Sequence, residues 1–285
     1  MCRTGESIDS CADIFFNPED RLADSERSEI VSTVKKNSGK VGDRMDILTA
    51  IISTLDLDAE VRDIRQGIFH TGVLTRKCGL AATMPKDALK QTPPMVKEPG
   101  RLLEKSASEL VKMSYSEAVL EAAIGIATIN SLIEIDEQRC IELNAGDLIA
   151  EKGKGKKVVM IGHFPFINSL RQISRDLLVI EENPREGDFG QENAESFLPE
   201  ADVVGITGTS LTNHTLDKLL ALCNPNAYVI ILGDSAPLTP VIFEYGAAAV
   251  SGIQVIDSEQ ALRCVSQGAN FRQIKGIRKL TMIKP

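Results

Sequence analysis

The feature that most limits the fold of this chain is an alternation of strand-like and helix-like runs from Lys157 onward. Strands that alternate with helices build a parallel sheet with right-handed crossovers. The run 227–232 is apolar throughout, which is typical of a central strand covered on both faces. This half is therefore predicted to be a doubly wound α/β sheet, with strands at 157–161, 177–181, 202–206, 228–232 and 254–257 and helices at 168–175, 216–222, 240–249 and 259–267.

The N-terminal half groups its strands before its main helix, which favours an α+β domain. With 285 residues, the chain exceeds a typical single domain. The charged, glycine-containing segment 151–157 is interpreted as the joint between domains at 1–152 and 156–285. Within the first domain we expect a helix at 30–55 broken near Asn37, strands at 60–75 and 79–84, a proline-rich loop at 85–99, and a helix at 106–132 that is buried at 122–127.

Composition excludes several classes of partner. The net charge of -8, the 4% aromatic content and the absence of Trp argue against nucleic-acid binding. No apolar run approaches the roughly 18 residues that cross a bilayer, so no membrane association is expected. Charges and Pro18 interrupt the first 20 residues, which predicts a cytoplasmic protein. The six cysteines form no C-x-x-C pair and are expected to be free thiols.

Three polar turns follow strands of the predicted parallel sheet: turn 1 (161–165), turn 2 (207–215) and turn 3 (233–240). In open α/β folds, ligands bind outside the carboxyl ends of the strands, where such turns meet. We therefore expect the three turns to line one crevice. The candidate ligand-binding residues are Gly162, His163, Glu181, Thr207, Gly208, Thr209, Asn213, Gly233, Asp234 and Ser235.

Turn 1 lacks the glycines of a dinucleotide-binding fingerprint, G-x-G-x-x-G, because Gly162 is followed by His163, Phe164 and Pro165. The missing glycines argue against ordinary NAD binding. Glu181, however, ends the second strand 19 residues after Gly162, where a ribose-binding acid would lie. His163 could be a metal ligand, an acid/base group or a polar cap of the strand.

Turns 2 and 3 leave alternatives open. The hydroxyls and backbone amides of 207–210 could ring an anion, whereas Thr212, Asn213 or Thr215 could cap the next helix. In turn 3, Asp234 could bind a cation, or the prolines could simply set the shape of a loop.

A third group of polar residues lies in the hairpin-like segment 69–79. His70 and Cys78, together with His163, are candidate ligands for a transition metal. The alternatives are a purely structural hairpin, or a source of positive charge from Arg76 and Lys77 for an anionic ligand.

A family resemblance is carried by five segments of the C-terminal half: 159–165, 179–184, 201–209, 213–216 and 233–238. They resemble a family of microbial proteins labelled "putative heavy-metal chelation". The resemblance implies a Rossmann-like C-terminal domain preceded by a smaller domain with the fold of the enolase N-terminal domain, and a ligand site in the cleft between them. Two features depart from the family: Asp234 stands where a proline is common, and the connection 85–99 is long. A looser match relates 123–130 to the long helix of the smaller domain.

The residues and the resemblance together predict a cytoplasmic protein that binds an anionic metabolite, a transition metal or a metal chelate in an interdomain cleft. One alternative is a Rossmann-type, transferase-like enzyme with a nucleotide-like cofactor, with His163 as the acid/base group and Glu181 on a ribose. Another is a metal-trafficking protein that uses His70, Cys78, His163 and Glu181. A homodimer is expected, since dimers are the commonest oligomers of soluble proteins.

Overall fold

The computed structural model describes residues 44–90 and 95–285, which belong to one compact unit. The helix predicted at 30–55 lies partly outside these residues. Its described part forms α1 (Ile47–Ser53), which begins where the Asp46 carboxylate accepts a hydrogen bond from the Thr49 backbone amide. The Asp46 cap thus accounts for the residue at which α1 begins.

A three-stranded antiparallel sheet follows, in the order β1 (Asp63–Gln66), β2 (His70–Leu74) and β3 (Cys78–Ala82). The helix Val119–Leu132 (α4) packs across β2 and β3 at very short range. A Cβ on Gly79 would lie 2.2 Å from the Ala127 carbonyl oxygen, so only glycine permits this approach. The remaining helices of this half are α2 (Pro85–Lys90) and α3 (Ala107–Lys112).

Three predictions for this half were wrong in part. The strand predicted at 60–75 is two antiparallel strands, β1 and β2, separated by residues 67–69. The loop predicted at 85–99 begins with α2, because proline is compatible with the first turn of a helix. The continuous helix predicted at 106–132 is divided by the 3-10 helix Met113–Tyr115 and by the extended residue Ser116. The prediction that 122–127 is buried is confirmed, since each of these residues is inaccessible in α4.

The second sheet has seven strands in the order β4-β10-β9-β8-β7-β5-β6. Five neighbouring strands, from β9 to β6, are parallel, and β10 and β4 add antiparallel pairs at one side. The elements are β4 (Cys140–Ile141), α5 (Ala145–Gly153), β5 (Lys157–Ile161), α6 (Ile167–Ile173), β6 (Asp176–Ile180), α7 (Ala194–Phe197), β7 (Val203–Thr207), α8 (Thr209–Thr212), α9 (Leu216–Leu222), β8 (Tyr228–Leu232), β9 (Ala249–Val255), α10 (Ser258–Ser266) and β10 (Ile277–Ile283).

The predicted α/β fold with a doubly wound, mostly parallel sheet is confirmed. Each strand predicted from 157 onward overlaps an observed one, although β9 starts five residues before the predicted position 254. The helix predicted at 240–249 is a shorter 3-10 helix, Pro240–Tyr245, ended by Gly246 at φ 99°. The segment 151–157 was expected to be a connector, but it begins inside α5 and ends inside β5.

One hydrophobic core serves both sheets. Val73 and Ala81 of the first sheet and Val159 and Val204 of the second belong to the same buried cluster. The division into domains at 1–152 and 156–285 stays a prediction. Among the described residues, no helix is both long and apolar enough to cross a membrane.

Candidate functional site

A cavity of about 450 Å³ lies at the carboxyl ends of β5, β6 and β7. Strand β5 is paired with β6 on one side and with β7 on the other, so the chain reverses its winding direction there. Such a switch point leaves a crevice that open α/β sheets use for ligands. Six of the ten candidate ligand-binding residues line this cavity: Gly162, His163, Glu181, Thr207, Thr209 and Asn213.

Turn 1 reaches the cavity through Gly162, whose φ of 104° is a conformation that favours glycine. Its amide donates to the Ile180 carbonyl oxygen at 2.9 Å, which holds the turn against the end of β6. A Cβ on Gly162 would lie 3.2 Å from Thr207 Cβ, so turns 1 and 2 are in close contact. This geometry places His163 between the ends of β6 and β7.

His163 is held by two carboxylates. Its backbone amide donates to Glu181 Oε1 at 2.6 Å, and its ring Nδ1 lies 3.1 Å from Asp188 Oδ2. The Asp188 side chain is 2% exposed. Because a carboxylate only accepts hydrogen bonds, Nδ1 is the donor in this contact, and in the neutral imidazole the free lone pair is then on Nε2. Asp188 was not among the predicted residues, since it follows no strand and matches no motif.

Turn 2 presents hydroxyl and amide groups to the same cavity. Thr207 Oγ1 and Thr209 Oγ1 are 3.0 Å apart, and Thr215 Oγ1 donates to Asn213 Oδ1 at 2.7 Å. The alternative role as a helix cap is not supported, because no side chain caps the start of α9. Gly208 does not line the cavity, and a Cβ there would lie 2.4 Å from the Ala236 backbone nitrogen.

Turn 3 has a different environment, outside the cavity lining. Asp234 Oδ2 lies 2.5 Å from His70 Nδ1, and both side chains are nearly inaccessible, at 12% and 6% exposure. Ser235 Oγ accepts from the Ala82 amide at 2.9 Å, and Gly233 adopts a φ of 120°. Turn 3 therefore packs the three-stranded sheet against the seven-stranded sheet, and its polar groups are engaged in that contact.

The three candidate metal ligands have separate environments. His70 pairs with Asp234 and His163 with Asp188, while Cys78 lies opposite Leu74, at the other end of the β2–β3 pair from His70. Within 44–90 and 95–285, no group of three or more His, Cys, Asp or Glu residues is arranged to hold a metal ion. The metal site combining His70, Cys78 and His163 is not assembled in this structure.

Burial also disfavours the ionised form of Cys78 to which a metal would bind. Burial, and then the charge of Asp63, raise the pKa of its thiol from 9.0 to about 12. Thiolates, and not thiols, bind metals. The thiol is therefore neutral throughout the physiological range.

This environment predicts that Cys78 resists alkylation in the folded protein. At pH 8, iodoacetamide is expected to leave Cys78 unmodified while the half-buried Cys264 reacts, and urea should make both react. Because the folded-state pKa lies above the unfolded value, the neutral thiol stabilises the fold below about pH 9, and that contribution falls between about pH 9 and 12. Mass spectrometry of the peptides would measure the extent of alkylation at each cysteine. Equal alkylation rates of Cys78 in buffer and in urea would contradict the prediction.

The cavity wall next to β6 is acidic. Glu182, Asp87 and Glu192 line it beside Glu181. Burial, followed by the charges of Asp87 and Glu181, raises the pKa of the Glu182 carboxyl. Asn183 connects this wall to α2, since its amide donates to Asp87 Oδ1 at 3.3 Å.

Two family models match the chain, and both carry the description putative heavy-metal chelation. The DUF364 model matches residues 144–284, and the DUF4213 model matches residues 49–133. A protein of unknown function from the DUF364 family of Desulfitobacterium hafniense DCB-2 is 31% identical, with a TM-score of 0.73 over 84% of this chain and 98% of that chain.

Two further relatives agree with this match. A DUF364 protein of unknown function from Pyrococcus horikoshii has the same fold, with 22% identity and a TM-score of 0.73 over 84% of this chain and 100% of that chain. An uncharacterised protein of Methanocaldococcus jannaschii is 27% identical over 186 residues, which are 62% of this chain and 71% of the relative.

Proposed function

Since this chain belongs to the DUF364 family, which is described as putative heavy-metal chelation, we propose that it binds a transition metal carried by a small organic chelator. The proposed site is the cavity at the carboxyl ends of β5, β6 and β7. The observation that supports it is the His163 imidazole, which lines the cavity with Nδ1 held by the buried Asp188. A carboxylate that orients a histidine in this way is typical of metal-binding histidines.

Two donors of the chain could contact the metal. His163 Nε2 makes no hydrogen bond to the described residues, and Glu181 has one carboxylate oxygen besides the Oε1 that accepts from the His163 amide. Imidazole nitrogen and carboxylate oxygen suit nickel, copper, zinc and iron. His70 and Cys78 are left out of this proposal, because their contacts lie elsewhere.

A chelate fits this site better than a bare ion. Metal ions in stable protein sites have about four or more ligands, whereas these two donors fill only part of that number. The cavity of about 450 Å³ is within the range of sites that enclose small organic molecules. A chelator would supply the missing donors and occupy the rest of the volume.

The proposal predicts that His163→Gln weakens chelate binding by about tenfold or more, and Asp188→Asn by about tenfold, because the imidazole then loses its orientation. Isothermal titration with Ni²⁺ held by triethylenetetramine would measure the affinity, and Ni²⁺ alone should bind more weakly. His214→Gln is the matched control, since that imidazole donates from Nε2 to the Ser114 carbonyl and does not line the cavity. Equal affinities for His163→Gln and the unmodified protein would contradict the proposal.

A nucleotide-dependent enzyme is a second candidate, because the cavity lies at the switch point of the sheet and Glu181 follows β6. In that case Glu181 would contact the ribose and His163 would serve as the acid/base group. Glu181→Ala should then abolish nucleotide binding, and unchanged affinity would reject this function.

A homodimer and a cytoplasmic location stay predictions of the amino-acid sequence. Light scattering of the purified chain would decide the first, since a dimer has twice the chain mass of 31.0 kDa.

A further inference from the structure

The polar groups of the cavity are separated by strand. Carboxylates lie beside the end of β6. Glu181 and Glu182 follow this strand, and Asp87 of α2 adds a third carboxylate to the lining. Neutral hydroxyl and amide groups follow β7, and His163 follows β5, which lies between the other two strands. The neutral group consists of Thr207, Thr209, Ser210, Asn213 and Thr215.

Positive charge does not balance the acidic side. Among the described residues that line the cavity, Asp87, Glu181, Glu182 and Glu192 carry carboxylates, and Lys218 is the single lysine or arginine. Lys218 is 69% exposed and contacts Glu195 at 2.9 Å. Lys90, at the edge of this region, donates to Asn183.

The side next to β7 has the opposite character. Its hydroxyl and amide groups carry no net charge, and several of them contact one another, as Thr207 contacts Thr209 and Thr215 contacts Asn213. Leu219 and Leu222 of α9 add apolar surface to the lining. Such a wall accommodates an uncharged organic body, with hydrogen bonds to its polar atoms.

We propose that the cavity selects chelates of positive net charge and binds them in one orientation, with the metal centre toward the carboxylates and the organic body toward turn 2. This inference rests on the proposed binding of a metal chelate. It excludes anionic ligands, because a negative complex would lie beside four carboxylates in a partly enclosed cavity. Solvent screens charge interactions less in a partly enclosed cavity than on an open surface, so attraction to a cation and repulsion of an anion should each change the affinity.

The test is a series of three nickel complexes that differ in charge. Ni²⁺ with triethylenetetramine is dipositive, with iminodiacetate it is neutral, and with nitrilotriacetate it is negative; each leaves coordination positions open for His163. We expect the affinity to fall in that order, by about tenfold or more at each step at low ionic strength, and the differences to shrink with added salt. Isothermal titration of the full chain would give the three dissociation constants.

Two variants test the orientation. Glu182→Gln should weaken the dipositive complex and strengthen the negative one, whereas Thr209→Val should change the affinities for all three complexes by a similar factor. Glu259→Gln is the matched control, because it removes an exposed carboxylate, paired with Arg263, that does not line the cavity.

The possible outcomes separate the two proposals. If none of the complexes binds, the chelate-binding function fails and this inference fails with it. If the complexes bind with equal affinity, or the negative one binds most tightly, the charge selection is wrong while the chelate-binding function stands. The charge selection is also wrong, while the chelate-binding function stands, if Glu182→Gln and Glu259→Gln have the same effect on the three affinities.

Discussion

Asp234→Ala is expected to lower the free energy of unfolding by about 3 kcal/mol or more, since removing one partner of a buried polar pair leaves the other unpaired. The Asp234 and His70 side chains are 12% and 6% exposed, and Oδ2 and Nδ1 are 2.5 Å apart. Nε2 of His70 is buried and has no partner among the described residues. Without Asp234, neither ring nitrogen of the buried His70 would have a hydrogen-bond partner among the described residues.

Urea unfolding would measure this loss, with two controls. Asp234→Asn keeps an oxygen that can accept from Nδ1 and should be less damaging than alanine. Asp176→Ala removes an exposed carboxylate that contacts Arg175 at 3.1 Å, and it should cost less than about 1 kcal/mol. If Asp234→Ala and Asp176→Ala were equally stable, the buried pair would contribute little to the contact between the two sheets.

Gly125→Ala is expected to destabilise the protein by about 3 kcal/mol, because an added methyl group overpacks a rigid contact. A Cβ on Gly125 would lie 2.1 Å from the Ser114 backbone nitrogen and 2.5 Å from its Cα. Helix propensity predicts the opposite sign, since alanine in a helix interior is favoured over glycine by about 1 kcal/mol. The contact decides the outcome, because backbone atoms on both sides cannot move aside as a side chain could.

Calorimetry should show a melting temperature lower by about 5 °C for Gly125→Ala, given the usual relation between stability and melting temperature for chains of this size. Gly190→Ala is the matched control, because its Cβ would meet only the flexible carboxylate of Glu192. A Gly125→Ala protein as stable as the unmodified chain would show that α4 can move away from the Ser114 backbone.

The C-terminal strands were predictable because their information is local. Runs such as Lys157–Ile161 and Tyr228–Leu232 are apolar, short and bounded by polar turns, and both were located with their observed bounds. Strand β10 (Ile277–Ile283) was missed. It includes the charged residues Arg278 and Lys279 and pairs antiparallel with β9, so the alternation of parallel strands and helices does not predict it.

The break in the helix predicted at 106–132 shows a different limit. Apolar spacing supports a helix on both sides of Met113–Tyr115, and no proline interrupts the sequence there. The chain leaves the helical path where the Ser114 backbone packs on Gly125. This contact joins residues distant enough in sequence that periodicity alone does not reveal it.

The candidate site was predictable as a place but not as a set of contacts. Gly162, Thr207 and Thr209 follow neighbouring parallel strands, and the carboxyl ends of such strands meet at one edge. Turn 3 met the same criterion, yet Asp234 and Ser235 contact the three-stranded sheet instead of the cavity. The partner of His163, Asp188, lies 25 residues away in a loop, with no pattern that marks it.

The sequence by itself determined the doubly wound sheet and the edge at which its polar turns lie, because strand periodicity and strand-to-helix connections are local properties. Only the tertiary structure decided which polar groups share an environment. Pairing of β5 with both β6 and β7 brings His163, Glu181 and Thr207 to one cavity, while packing between the two sheets buries Asp234 with His70. Such contacts depend on how segments that are far apart in the sequence pack together, and local spacing of residues does not reveal that packing.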